Sequence, residues 1–153
     1  MAGRRGITVL EIVLVLAVGA ILAGVLGGGI GDLKGRVAVR SAESRLTALH
    51  QRARTLAVES GVPVRFVADP GAQTVSIREG CYGEGRLVHS HDFNLSHRVD
   101  MLTSGGVLAV CMTPGGYAYP GDAASGEQGR ITFLRGEHSS SVLLSPMGRV
   151  ARP

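Results

Sequence analysis

The chain has 153 residues, of which 44% are hydrophobic and 23 are glycine, so it allows one small soluble domain in addition to an N-terminal apolar segment. It carries 16 Lys and Arg against 12 Asp and Glu, but Arg4 and Arg5 lie in the first six residues. The remaining 14 basic residues barely exceed the 12 acidic ones, so the composition alone does not indicate nucleic-acid binding.

The N-terminal 30 residues predict a membrane anchor. Residues 1–6 are short and basic, and residues 7–30 contain a single ionisable side chain, Glu11. A helix of that length measures about 36 Å, enough to span a hydrocarbon core. The basic residues in front predict a cytoplasmic N-terminus and an inner-membrane, single-pass protein whose remainder lies outside the cytoplasm. A signal peptide cut near Ala23 is the alternative, although it leaves Glu11 unexplained.

The helical pattern continues beyond the apolar segment, through residues 31–61. Small and apolar residues recur there every three or four positions, which predicts one buried helical face: Ala42, Leu46, Leu49, Ala53, Leu56 and Ala57. Gly61 followed by Val62-Pro63 predicts the end of a single helix that runs from residue 7 to about residue 60. The glycines at 27–29 and 31 predict a kink or local melting in its middle.

Short strands and turns fill residues 62–153. We expect strands at 62–68, 74–78, 86–93, 97–102, 107–112, 130–135, 141–145 and 149–151, and an exposed loop at 120–129. Antiparallel strands packed on the amphipathic half of the helix give an α+β fold. Cys81 and Cys111 form a disulfide if this domain lies in an oxidising compartment, and otherwise they are two buried thiols.

The polar residues predict no enzyme. His89 and His91 share one face of a strand and His97 follows, as in a metal site, but solvated histidines explain the pattern better, and we predict no metal and no cofactor. Asp122 and Glu127 are too sparse for calcium. The serines at 139–141 have no His and Asp arrangement that would make one of them a nucleophile.

The N-terminus resembles the signal of type IV pilins and type II secretion pseudopilins: a basic leader ending in Gly6, then Ile7-Thr8-Val9-Leu10-Glu11 opening a long apolar helix. The resemblance implies cleavage after Gly6 by the prepilin peptidase, N-methylation of Ile7, and a filament contact between Glu11 and the N-terminal amine of a neighbouring subunit. It also implies a membrane-spanning helix half at 7–30, an amphipathic half at 31–61 and a globular domain at 62–153. A carboxylate that merely reaches the membrane interface is the alternative for Glu11.

The rest of the chain resembles the GspH/FimT group of minor pilins and pseudopilins, through the helix exit at 61–64, a strand and turn at 110–116, and final strands at 130–133 and 143–150. Members that bind DNA end in Gly-Arg-x-Arg. Here Arg149 follows Gly148, but the second arginine is displaced by one residue to Arg152. DNA contact by Arg149 and Arg152 therefore competes with a plain final strand whose arginines are solvated.

The resemblance implies a minor pseudopilin of a type II secretion system, at the tip or early part of a periplasmic pseudopilus. Its partners would be other pilins or pseudopilins, the prepilin peptidase, the inner-membrane assembly platform and the cytoplasmic membrane. A minor type IV pilin for pilus assembly or DNA uptake is the first alternative. A single-span membrane protein with a soluble binding domain is the second.

Overall fold

A computed structural model describes residues 8–120, 129–145 and 149–151. Helix α1 spans Val9–Ser60, and it ends where Gly61 takes the left-handed conformation (φ 67°), as the sequence predicts. The helix is unbroken through residues 27–31, so the predicted local melting is absent. The chain divides into two compact units, Met1–Lys34 and Gly35–Pro153. No helix in the described part of the chain has an 18-residue stretch apolar enough to cross a membrane.

The second unit contains two antiparallel sheets. The five-stranded sheet has the order β3-β2-β1-β5-β6, and the four-stranded sheet has the order β4-β7-β8-β9. The strands are β1 Val64–Asp69, β2 Thr74–Glu79, β3 Leu87–Asp92, β4 Asp100–Thr103, β5 Leu108–Met112, β6 Ala118–Pro120, β7 Gly129–Arg135, β8 His138–Leu144 and β9 Val150–Ala151. The predicted α+β architecture, a long helix with antiparallel sheets, is confirmed.

One hydrophobic core joins α1 to both sheets. The predicted helical face is buried, except that Leu56 is only partly so. Phe66 on β1 and Ile77 on β2 are fully buried, as is Phe133 on β7, and all three belong to the same cluster as Leu46 and Leu49 of the helix. The alternation of buried and half-buried residues along β1 and β2 shows why period-two patterning predicts these strands correctly.

The sequence did not predict the short helix α2, Phe93–His97, or strand β6. Asp92 caps α2 by accepting a hydrogen bond from the Leu95 backbone N–H at 2.8 Å, and Arg98 ends it in the left-handed conformation. The predicted strand 97–102 is therefore wrong at its start, since β4 begins at Asp100. The expected loop at 120–129 has both end residues in strands, and residues 121–128 lie outside the described residues.

Gln73 links the two sheets. It occupies the turn between β1 and β2 with φ 55°, and its side-chain amide bonds the backbone of Met101 in both directions. The Met101 N–H donates to Oε1 at 2.6 Å, and Nε2 donates to the Met101 carbonyl at 3.0 Å. Because each sheet contributes one partner, this side chain fixes their relative position where α2 crosses between them.

Candidate functional site

Thr8 caps the N-terminus of α1 and so positions Glu11. The Thr8 hydroxyl accepts a hydrogen bond from the Glu11 backbone N–H at 3.3 Å, and the Thr8 carbonyl accepts one from the same group at 3.1 Å. Glu11 is therefore the third residue of the helix, where a negative charge interacts favourably with the helix dipole. Thr8-x-x-Glu11 has the pattern of a capping box, which a closer inspection of the sequence would have found. The helix begins at Val9 rather than at the predicted residue 7.

Glu11 is exposed and lies among exposed apolar side chains. Every large apolar side chain described between Val9 and Leu22 is exposed, from 49% at Val18 to 79% at Val9. A surface this apolar marks a site that another molecule or a lipid phase covers. Gly6 and Ile7, the predicted processing site, lie outside the described residues, as do the side chains of Ala23 and of residues 25–30 in the predicted span.

Cys81 and Cys111 form the disulfide that the sequence left open. Their Cα atoms are 5.5 Å apart, and the residues are 5% and 0% exposed. The bond ties the loop after β2 to β5, an inner strand of the five-stranded sheet. Arg65 and Arg78 hold the same loop by donating to the carbonyls of Gly83 and Gly85. The prediction is confirmed, and the loop is fixed by covalent and polar contacts together.

Three histidines meet on the helix-facing side of the sheet edge. His89 and His91 pair in register with Ile77 and Val75, whose side chains are buried, so both rings face inward. His97 comes from α2, and its ring lies 5.5 Å from that of His91. All three are half-buried, so the expectation of solvated histidines is wrong. The described residues contain no group of three side chains that could hold a metal ion.

The environment of these histidines is electropositive. Burial lowers the pKa of His89, His91 and His97, and Arg45 lowers all three further. Arg52 also lowers the pKa of His89. Asp92 raises the pKa of His91, but the net shift of that pKa is still downward. Two of the rings lie within hydrogen-bond distance of hydroxyls: His91 Nε2 is 3.0 Å from Ser96 Oγ, and His97 Nδ1 is 3.4 Å from Ser41 Oγ. Nε2 of His89 and Nε2 of His97 are buried and have no hydrogen-bond partner among the described residues. This arrangement favours uncharged histidines that pack as a structural cluster.

His50 is a buried polar residue that the helical pattern did not reveal. It is 0% exposed, and neither ring nitrogen has a hydrogen-bond partner among the described residues. Its ring packs edge-on against Phe66, with centroids 5.5 Å apart. Burial, and then the charge of Arg54, lower its pKa from 6.5 to about 4. At neutral pH the ring is therefore an uncharged part of the core.

The remaining predicted sites are only partly described. Arg149 is exposed, and its backbone bonds Ser145 in both directions before β9. Arg152 lies outside the described residues, and so do Asp122 and Glu127. The serines at 139–141 belong to β8, where Ser140 donates to Glu43 at 2.7 Å and Ser141 bonds Thr132 at 3.0 Å. These hydroxyls hold strands and helix together.

The fold matches solved pilin structures. Two crystal forms of the type IV minor pilin FimU from Pseudomonas aeruginosa superpose with TM-scores of 0.57 and 0.54, each at 19% identity. They cover 77% and 74% of this chain and 90% and 91% of theirs. The minor pseudopilin EpsH from the type 2 secretion system of Vibrio cholerae gives a TM-score of 0.47 at 11% identity, covering 73% of this chain and 95% of its own. No family model matches the sequence, and no curated protein matches it.

Proposed function

We propose that this chain is a minor subunit of a pilin-like filament, specifically a minor pseudopilin of a type II secretion system. Its role is structural, at the tip or early part of a periplasmic pseudopilus, and not enzymatic. The observation that carries this proposal is Glu11, a carboxylate capped into the first turn of α1, where every large apolar side chain described between Val9 and Leu22 is exposed. The likeness of the fold to FimU supports it.

Assembly in this proposal follows from the chemistry of the N-terminus. The prepilin peptidase cuts after Gly6 and methylates the new amine of Ile7. Before assembly the apolar half of α1 lies in the inner membrane, with the N-terminus cytoplasmic and the β-rich domain periplasmic. The assembly platform then passes the subunit to other pilins, whose helices cover the exposed apolar surface.

Glu11 gives the filament its register. A carboxylate buried among helices without a partner carries a large desolvation penalty, whereas pairing with the cationic N-terminus of a neighbour offsets that penalty. Only one axial offset between subunits brings the two groups together. Breaking a buried pair by removing one partner costs about 3–5 kcal/mol, so loss of the carboxylate should be decisive for assembly.

Mass spectrometry of the mature N-terminus and a filament co-purification assay test the proposal. We expect a chain that begins at methylated Ile7, and a reduction of about tenfold or more in filament-bound protein for Glu11→Gln with membrane insertion unchanged. Glu59→Gln is the matched control, because Glu59 is exposed at the other end of the same helix. An unprocessed Met1, a cut near Ala23, or normal incorporation of Glu11→Gln would refute the proposal. The first two results would favour a plain single-span or secreted protein.

A minor type IV pilin is the second candidate, because FimU is described as a type IV minor pilin. Deletion in the native host separates the two functions. Loss of secreted proteins with intact surface pili supports the pseudopilus, whereas loss of pili or of DNA uptake supports the pilus. Binding of DNA by the full chain at two salt concentrations tests whether Arg149 and Arg152 contact phosphates.

A further inference from the structure

A half-open groove of about 680 Å³ lies between the middle of α1 and the start of β8. Its helix wall includes residues 36, 40 and 44, which are one turn apart and therefore lie on one side of the helix. Its strand wall is formed by residues 138–140. The lining residues are Arg36, Val39, Arg40, Glu43, Ser44, His138, Ser139 and Ser140.

The fold holds the two walls of the groove together. Glu43 is 6% exposed and accepts a hydrogen bond from Ser140 Oγ at 2.7 Å. Gly35 is buried because the His138 ring lies directly against it, in the space where a Cβ would be. The groove is therefore built by contacts between helix and strand, and its shape does not depend on the conformation of a loop.

The accessible surface of the groove favours an anion. Arg36 and Arg40 are exposed, whereas the carboxylate of Glu43 is buried in the floor of the groove, where it is bonded to Ser140. Arg40 makes no hydrogen bond or ion pair with another described residue. Ser44 and Ser139 add exposed hydroxyl groups at the rim. Guanidinium and hydroxyl donors together suit a carboxylate, which a guanidinium can bind through two parallel hydrogen bonds.

We propose that this groove receives an Asp or Glu side chain from a neighbouring pilin-like subunit, with Arg40 as its principal partner. The inference rests on the proposed function, since it needs a neighbouring subunit. Charge complementarity selects the occupant: the exposed guanidinium group of Arg40 makes no ion pair with another described residue, and a single carboxylate neutralises it. The contact adds a polar, register-specific bond between globular domains that is independent of Glu11.

Site-specific photo-crosslinking in the full-length chain tests the inference. A photoreactive amino acid replaces Ser139, which is exposed on the strand wall of the groove. In cells that assemble the filament, we expect a crosslink to an Asp- or Glu-bearing segment of another pilin-like chain, identified by peptide mass spectrometry. Arg40→Gln should reduce the crosslink yield about fivefold or more, and Arg40→Lys should reduce it less because it keeps the charge. Arg54→Gln, on the same helix outside the groove, should leave the yield unchanged.

The outcomes separate the groove from the wider proposal. The inference is wrong if the yield is the same with Arg40→Gln, or if Ser139 crosslinks only to a segment without acidic residues. It is also wrong if no pilin-like chain is captured while the N-terminus is processed and the protein co-purifies with filaments. Those results leave the proposed function intact. An unprocessed N-terminus, or normal incorporation of Glu11→Gln into filaments, would refute the proposed function instead.

Discussion

At the scale of single residues, His50 shows what a helical pattern conceals. The residue occupies the same face as Leu46, Leu49 and Ala53, and it is as fully buried as they are. A search for apolar residues at spacings of three and four passes over a histidine, and it passes over Glu43 for the same reason. Which polar side chains enter the core depends on the partner strands, and that information is absent from the local sequence.

The burial of His50 predicts acid-dependent stability. Its pKa falls from 6.5 to about 4 on folding, so between these values the unfolded chain binds more protons than the folded one. The contribution of neutral His50 to the free energy of unfolding is therefore fully present above pH 6.5. It is lost as the pH falls toward 4, which lowers the free energy of unfolding by up to about 3 kcal/mol. Between pH 7.5 and pH 5.0, we expect the free energy of unfolding of His50→Leu to fall by about 2 kcal/mol less than that of the wild type.

Urea denaturation of the full chain in detergent, followed by circular dichroism at the two pH values, measures this difference. Gln51→Leu is the control, since it adds a leucine on the exposed side of the same turn without changing a titratable group. If His50→Leu and the wild type lose equal stability on acidification, His50 is not buried in its neutral form.

At the scale of elements, the packing of β8 on α1 depends on a helical glycine. Gly35 costs about 1 kcal/mol relative to Ala in a helix interior, yet a Cβ there would overlap the His138 ring. The sequence predicted a helix through this position but gave no reason for the glycine, because the reason lies about a hundred residues away in the chain. Close approach of two elements explains its presence.

A double-mutant cycle tests this contact. We expect Gly35→Ala to lower the free energy of unfolding in the wild-type background, because the ring must leave its position. In the His138→Ala background the same substitution should raise the free energy of unfolding by about 1 kcal/mol, through helix propensity alone. Thermal or urea denaturation at pH 7.5 gives the four values. A change of the same sign and size in both backgrounds would show that the two residues do not interact.

The strands show the same division between local and distant information. Local patterns predicted β1 and β2, whose residues alternate between buried and half-buried positions. Gly61, which takes a left-handed conformation, likewise predicted the end of α1. Helix α2 was missed, and only its end residues Phe93 and His97 fell in predicted strands, because five residues are too few for a helical period, although Asp92 carries a capping signal. The sequence left undecided whether Cys81 and Cys111 are bonded, because bond formation depends on a Cα separation that only the packed sheet defines.

At the scale of the whole molecule, the histidine cluster makes one edge of the domain sensitive to acid. His89 and His91 from β3 and His97 from α2 face Arg45 and Arg52 of α1. Among the described residues, Asp92 is the only carboxylate that raises one of their pKa values. All three pKa values lie below the ordinary value, so protonation is less favourable in the folded state. Acid therefore weakens the attachment of β3 and α2 to α1 as the pH falls through about 6.5 and below.

Hydrogen exchange separates this local effect from the global effect of His50. Protonation of His50 lowers the stability of the whole domain, so it should reduce the protection of β7 and β3 by similar factors. Protonation of the cluster should reduce the protection of residues 87–97 more than that of β7 between pH 7.5 and pH 5.0, after correction for intrinsic exchange. Substituting glutamine for all three histidines should abolish the excess loss at β3 and leave the loss at β7 unchanged. If β3 and β7 lose protection in parallel in the wild type, the cluster does not control this edge, and the acid response of the domain belongs to its core.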